Sequence, residues 1–192
     1  ILTASLGKNG TVAVATRAED AQSMLTVYNE KEKEIFVWKC AKENIISCDV
    51  SDNGKRFAVS VLGVENGSVY SKVYVFDRKK DTPKVSATYK DSAVSSVKFL
   101  SNETVFVLGN NMCSVIKKDG KEEKIDVSVN TPYMITISDN NTAVLVLSKY
   151  SSTTQKIVSV YNKSGKELFS REIDGLIKSV STDGKYVGVL TD

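Results

Sequence analysis

"SDNGKRFAVS", residues 51–60, places a polar turn at Asn53-Gly54 directly ahead of an apolar, β-rich run. The arrangement returns along the chain. Asn9-Gly10 precedes TVAVAT, Asn102-Glu103 precedes TVFVLG, Asn140-Asn141 precedes TAVLVLS, and Asp183-Gly184 precedes KYVGVLT. The second residues of these pairs stand at 10, 54, 103, 141 and 184, at intervals of 44, 49, 38 and 43. Asn, Asp and Gly suit such turns because they accept the positive φ that tight hairpins need. The Gly-bearing stretch therefore reads as punctuation in a repeat before it reads as a binding loop.

The rest of each period agrees. A strand with Ser near its middle precedes the turn, as in IISCDVSDNG and IKSVSTDG. The strand after the turn is nearly continuously apolar, as expected where both faces are covered by neighbouring sheets. Phe57, Val59 and Val61 point to one side, and Ala58 and Ser60 to the other. Small residues on one side let adjacent sheets approach closely. A third strand follows (MLTVYN, SKVYVFD, CSVIKKDG, KIVSVYNKSG), then a polar turn and a fourth (KEIFVWK, KVSATY, KEEKIDVSV, KELFSREI). Four strands every 40–50 residues is the period of a propeller blade. The expected fold is all-β, a β-propeller of four-stranded antiparallel blades. The blades fall at about 1–44, 45–93, 94–132 and 133–175, with a partial blade at 176–192. Four and a half blades suggest part of a larger ring of about six to eight. Open blade edges would invite self-association. Two stretches have helical propensity. TRAEDAQSML (16–25) reads as a long loop, at most with one helical turn, and EKEKE (30–34) as a hairpin tip.

Composition excludes several functions. Charged residues make up 26% and hydrophobic residues 41% of 192, a globular composition. A net charge of +3 is too small to argue for nucleic acid. With no histidine, a Ser-His-Asp triad and any His-containing zinc site are impossible within this chain. Cys40, Cys48 and Cys113 are odd in number and form no CxxC, so they read as small buried residues. No apolar run reaches the roughly 18 residues that span a bilayer. The chain starts at Ile1 without Met, from which removal of an N-terminal segment is expected.

The candidate sites are few. Asp52, Asp139 and Asp183 recur at the same turn, with Asp49 nearby. Calcium or magnesium needs several oxygens converging on one ion, whereas one Asp per blade spreads around a ring. Asx turns explain the pattern without a metal. Glu122 with Glu123, or Asp49 with Asp52, would be the carboxylate pairs for glycoside hydrolysis, and nothing around them supports it. Tyr28, Phe36, Tyr74, Phe76, Tyr161 and Phe169 read as packing between blades. The sequons at Asn9, Asn66, Asn102, Asn140 and Asn162 follow from Asn-rich turns. Arg78-Lys79-Lys80 and the mixed run 117–124 read as solvated hairpin tips and not as a phosphate-binding surface. The loops LGVENGSVYSK (62–72) and SKYSSTTQK (148–156) are long, polar and aromatic-bearing, which makes them the first place to seek a partner surface.

VSDNGKRFAVSV and VYNKSGKELF (160–169) resemble the first-to-second-strand turn and the third-to-fourth-strand hairpin of the WD40/YVTN-like, quinoprotein-like β-propeller superfamily. The texture is also similar to uncharacterised propeller proteins of Gram-positive bacteria, often anchored by an N-terminal membrane helix. The Gly-His and Trp-Asp signatures of WD40 blades are missing, with VFD at 75–77 only a partial echo. Quinoproteins carry a Trp-docking motif in most blades, whereas Trp38 is the only tryptophan here, which argues against pyrroloquinoline quinone. The expectation is a non-enzymatic scaffold without catalytic, metal or cofactor site, binding a protein or cell-envelope polymer through its loops. Its expected setting is extracytoplasmic or secreted, membrane-anchored by a segment absent from this chain, with a cytoplasmic setting as the alternative. The alternative function is a propeller enzyme of glycosidase, lactonase or quinoprotein type, with its chemistry on carboxylates or in blades outside this chain.

Overall fold

The computed structural model describes residues 1–127, 130–138, 142–149 and 154–192. Among these every regular element is a strand. The first blade contains β1 (Thr3–Leu6), β2 (Val12–Thr16), β3 (Ser23–Tyr28) and β4 (Glu34–Cys40). The second contains β5 (Asn44–Val50), β6 (Arg56–Glu65), β7 (Ser68–Asp77) and β8 (Val85–Lys90). The third contains β9 (Val94–Ser101), β10 (Thr104–Gly109), β11 (Cys113–Ile116) and β12 (Glu122–Ile125). The fourth contains β13 (Asn130–Ile137), β14 (Ala143–Lys149), β15 (Gln155–Tyr161) and β16 (Glu167–Asp174). β17 (Ile177–Thr182) and β18 (Val187–Thr191) form a two-stranded fifth sheet. Each sheet is an antiparallel meander in chain order. The propeller expectation holds, as an open arc of blades and not a closed ring. Residues 17–22 form no helix, and Asn29–Lys33 is the hairpin tip expected there.

The core lies between blades, in four successive clusters. Phe57, Val59 and Val61 of β6 pack with Leu25, Val27 and Phe36 of the first blade. Ala58, on the opposite face of β6, packs with Val97, Val105 and Val107 of the third. β10 divides the same way, Val105 and Val107 toward the second blade, Phe106 and Leu108 toward the fourth. In β14, Leu145 and Leu147 face the third blade, while Val144 and Val146 meet Val187 and Val189 of the fifth sheet. The period-2 alternation of a strand with two covered faces accounts for these near-continuous apolar sequences. The aromatics expected at blade contacts behave unevenly. Phe36 meets Phe57 and Phe76 at 5.2 and 5.3 Å, and Trp38 meets Tyr74 and Phe76. Tyr161 packs on Phe106 at 5.8 Å. Phe169 holds in the fourth blade the register position of Phe36 in the first, yet it is 51% exposed.

Strand direction sorts the connections. First-to-second and third-to-fourth turns lie at one end of the blades. Second-to-third loops and blade-to-blade connections lie at the other.

Candidate functional site

The innermost strands come together at the first-to-second-turn end. Gly7, Lys8, Asp49, Asp52, Lys98 and Ser138 are among the residues lining a cavity of about 350 Å³. Asp49 does not stand free in it. Its carboxylate accepts hydrogen bonds from Ser5 Oγ (2.6 Å), Phe99 N (2.7 Å) and Lys98 Nζ (3.3 Å), and so joins three blades. Asp52 pairs with Lys8 at 3.1 Å. The two carboxylates line one cavity, each against a lysine. A glycosidase pair needs both carboxyls facing one substrate, whereas Asp49 is taken up by bonds to three blades and Asp52 by its ion pair with Lys8. Asp139 and Asn140 lie outside the described residues. Asp183 accepts from the amides of Tyr186 (2.7 Å) and Lys185 (2.8 Å), which hold its carboxyl below the usual range. Its Asx turn is as expected.

The turns also carry contacts that the sequence did not reveal. Asn102 Oδ1 accepts from the amide of Asn53 on the previous blade. Gly54 has φ +64°, and a Cβ there would run into the side chains of Asn9 and Thr11. The opening turn is therefore both punctuation and a weld between blades. A second weld is built from serines. Ser23 Oγ donates to Glu43 O and accepts from Ile45 N. Ser71, at the matching position one blade on, does the same with Ser92 O and Val94 N.

At the opposite end, the 62–72 stretch expected as a loop is instead mostly strand. β6 and β7 run on to a two-residue turn at Asn66 (φ 52°) and Gly67 (φ 80°), so the segment is a long β-hairpin. Val64 and Val69 are paired across its tip and are 70% and 41% exposed. Its base is fixed from the side. The ring of Tyr70 lies against Gly63, where any Cβ would clash with it. Tyr70 Oη donates to Glu43 Oε1 at 3.0 Å, and Lys72 Nζ donates to the same oxygen at 2.9 Å. Cys40 Sγ donates to Oε2 at 3.3 Å. Glu43 is 6% exposed. Burial raises its carboxyl, but hydrogen bonds from Lys72, Cys40 and Tyr70 prevail and hold it below the usual range. Sequence reasoning missed Glu43, because its partners come from two blades. Of the other expected loop, 148–156, residues 150–153 lie outside the described residues.

The remaining candidates separate. Glu122 and Glu123 are consecutive on β12 and so alternate faces. Glu123 pairs with Lys117 at 3.2 Å. The three cysteines are buried thiols. Burial pushes Cys48 up to about 11. Among the described residues, no three His, Cys, Asp or Glu side chains gather as a metal cage would.

Solved structures share this architecture. The β-propeller domain of Myceliophteria thermophila Cps50 (Swd1) superposes with a TM-score of 0.68 at 9% identity, over 98% of this chain and 62% of that one. Kuenenia stuttgartiensis hydrazine synthase gives 0.64 at 20% identity, over 97% and 54%. Chaetomium thermophilum Raptor gives 0.65 at 14% identity, over 97% and 17%. The chain thus spans less than two thirds of each, and at these identities the likeness is one of fold alone. No curated protein matches the chain. A family model does match it, over residues 1–192, and by that match this propeller arc belongs to DUF5711, a family of unknown function.

Proposed function

We propose that the chain is a non-enzymatic propeller scaffold that binds a protein partner through the end bearing the β6–β7 hairpin. One observation carries the reading. Val64 and Val69 stand exposed and opposite each other on a projecting hairpin, while the base of that hairpin is fixed to the blade-to-blade connection by Glu43. Two apolar side chains held at a rigid tip cost little entropy to bury in a partner's pocket. The engagement of Asp49 by three blades and of Asp52 by Lys8 supports a structural role for both carboxylates. We also propose an extracytoplasmic, membrane-anchored setting, which cell fractionation tests. The binding reading is tested by the double substitution Val64→Asp, Val69→Asp. The variant should keep the far-ultraviolet spectrum and melting temperature of the parent and lose partner capture from host extract. Equal capture by parent and variant would remove the hairpin from the account.

A further inference from the structure

The chain contains three Asn-Gly pairs: Asn9-Gly10, Asn53-Gly54 and Asn66-Gly67. Such pairs carry a chemistry of their own, which helps make Asn thermolabile. The glycine nitrogen can attack the carbonyl carbon of the asparagine side chain, because glycine has no Cβ to obstruct the approach. The fold treats the three pairs differently. Gly10 N donates to Gly7 O at 3.0 Å, and Asn9 Oδ1 accepts from Thr11 N. Gly54 N donates to Ser51 O at 2.8 Å, and Asn53 Oδ1 accepts from Lys55 N and Ser51 Oγ. In both pairs the attacking nitrogen and the carboxamide are tied down. Both turns are also crowded: a Cβ on Gly10 would meet Glu30, and one on Gly54 would meet Asn9 and Thr11. Asn66-Gly67 lacks these restraints. Among the described residues, neither the Gly67 amide nor the Asn66 carboxamide makes a hydrogen bond. Residues 64–69 are all exposed, and a Cβ on Gly67 would find nothing within 4 Å.

We propose that Asn66 is a self-modification site, at which the hairpin tip converts its own side-chain amide to a carboxylate. The Gly67 nitrogen bonds to Asn66 Cγ as the Cγ–Nδ2 bond breaks. Ammonia leaves, carrying the proton that the Gly67 amide gives up. Water then opens the cyclic imide at either of its two carbonyls. Opening at Cγ restores the main chain and leaves aspartate. Opening at the main-chain carbonyl leaves isoaspartate, with the chain running through the former side chain. Nothing is oxidised or reduced, and water supplies the new oxygen. Either product sets a second negative charge beside Glu65, between Val64 and Val69 in the sequence. Isoaspartate also adds a main-chain atom to a two-residue turn, whose length sets how its strands pair. A charged tip is costlier to bury than an apolar one, so conversion would oppose docking. That consequence rests on the proposed function. The reaction does not, and it is read without any partner.

The test is to incubate the folded chain in oxygen-labelled water at mildly alkaline pH, then digest it in ordinary water and map the peptides by mass. Opening of the imide leaves one labelled oxygen at each converted residue. The peptide with Asn66 should take up label and separate into aspartate and isoaspartate forms. Those with Asn9 and Asn53 should stay unlabelled over the same time. In concentrated urea all three should react at similar rates, which would show that the fold protects two of them. Asn66→Gly should abolish the label in that peptide while keeping a turn that glycine suits. Gly67→Ala should slow uptake severalfold through its Cβ, which has open space around it. Circular dichroism confirms that each variant folds. Two results would overturn the proposal: no label at Asn66 in the folded chain, or label at Asn9 or Asn53 appearing as fast as at Asn66.

Discussion

Glu43 shows how one side chain couples two blades to a surface feature. It is buried, its carboxylate receives Lys72, Tyr70 and Cys40, and its carbonyl receives Ser23. Glu43→Gln removes the charge but keeps the shape, and should cost about 1–3 kcal/mol. Hydrogen exchange of amides in 62–72 should rise more than elsewhere, and uniform exchange would show that Glu43 does not fix the hairpin. The pH dependence follows with its sign. The folded carboxyl titrates below its unfolded value of about 4.3, so Glu43 stabilises the fold above that pH. Its contribution is lost as pH falls through the lower folded value, and the Gln variant should show a shallower acid limb on denaturation. Ser60 is the opposite case: its hydroxyl is fully buried and makes no hydrogen bond. Ser60→Ala should be neutral or stabilise by up to about 1 kcal/mol in urea unfolding. Clear destabilisation would mean that the hydroxyl has a partner, such as a buried water. The sequence marked Ser60 as small and inward-facing. Its lack of a partner depends on the neighbouring blade and was not legible.

At the level of elements, the turns were the most legible feature and the most underestimated. Asn53-Gly54 announced a hairpin through local φ requirements alone. Its second duty, receiving Asn9 and Thr11 from the previous blade, depends on a residue one full period away. Gly54→Ala should therefore destabilise by more than about 1 kcal/mol, since it meets both a positive φ and a filled space. Gly67→Ala shares the φ penalty but has open space around its missing Cβ. It should cost less, and equal melting temperatures for the two variants would show that the inter-blade contact has no weight. The 62–72 segment was misjudged for a related reason. Its polar residues suggested a loop, whereas cross-strand pairing from Arg56↔Asp77 to Glu65↔Ser68 carries the ladder to its tip. Pairing is a property of two strands, and a single-strand pattern underreports it.

Across the molecule, four clusters of apolar residues join consecutive sheets. The period, the blade type and the two-faced second strands were legible because they repeat. Asp49 bridging three blades and Glu43 beneath the hairpin were not, because each joins residues far apart in sequence. The chain has no histidine, so few groups titrate between about pH 5 and 8. Its melting temperature should be nearly constant over that range, and a steep change would point to a strongly shifted carboxylate or thiol elsewhere. The central claim is that the hairpin end, not the turn end, meets a partner. Its most direct measurement places a photo-crosslinking amino acid at Val64 in the native host, and at Lys166 on the opposite end as the comparison. The account predicts one discrete protein adduct from position 64 and none from position 166. No adduct at 64, or the same adduct from both positions, would contradict it.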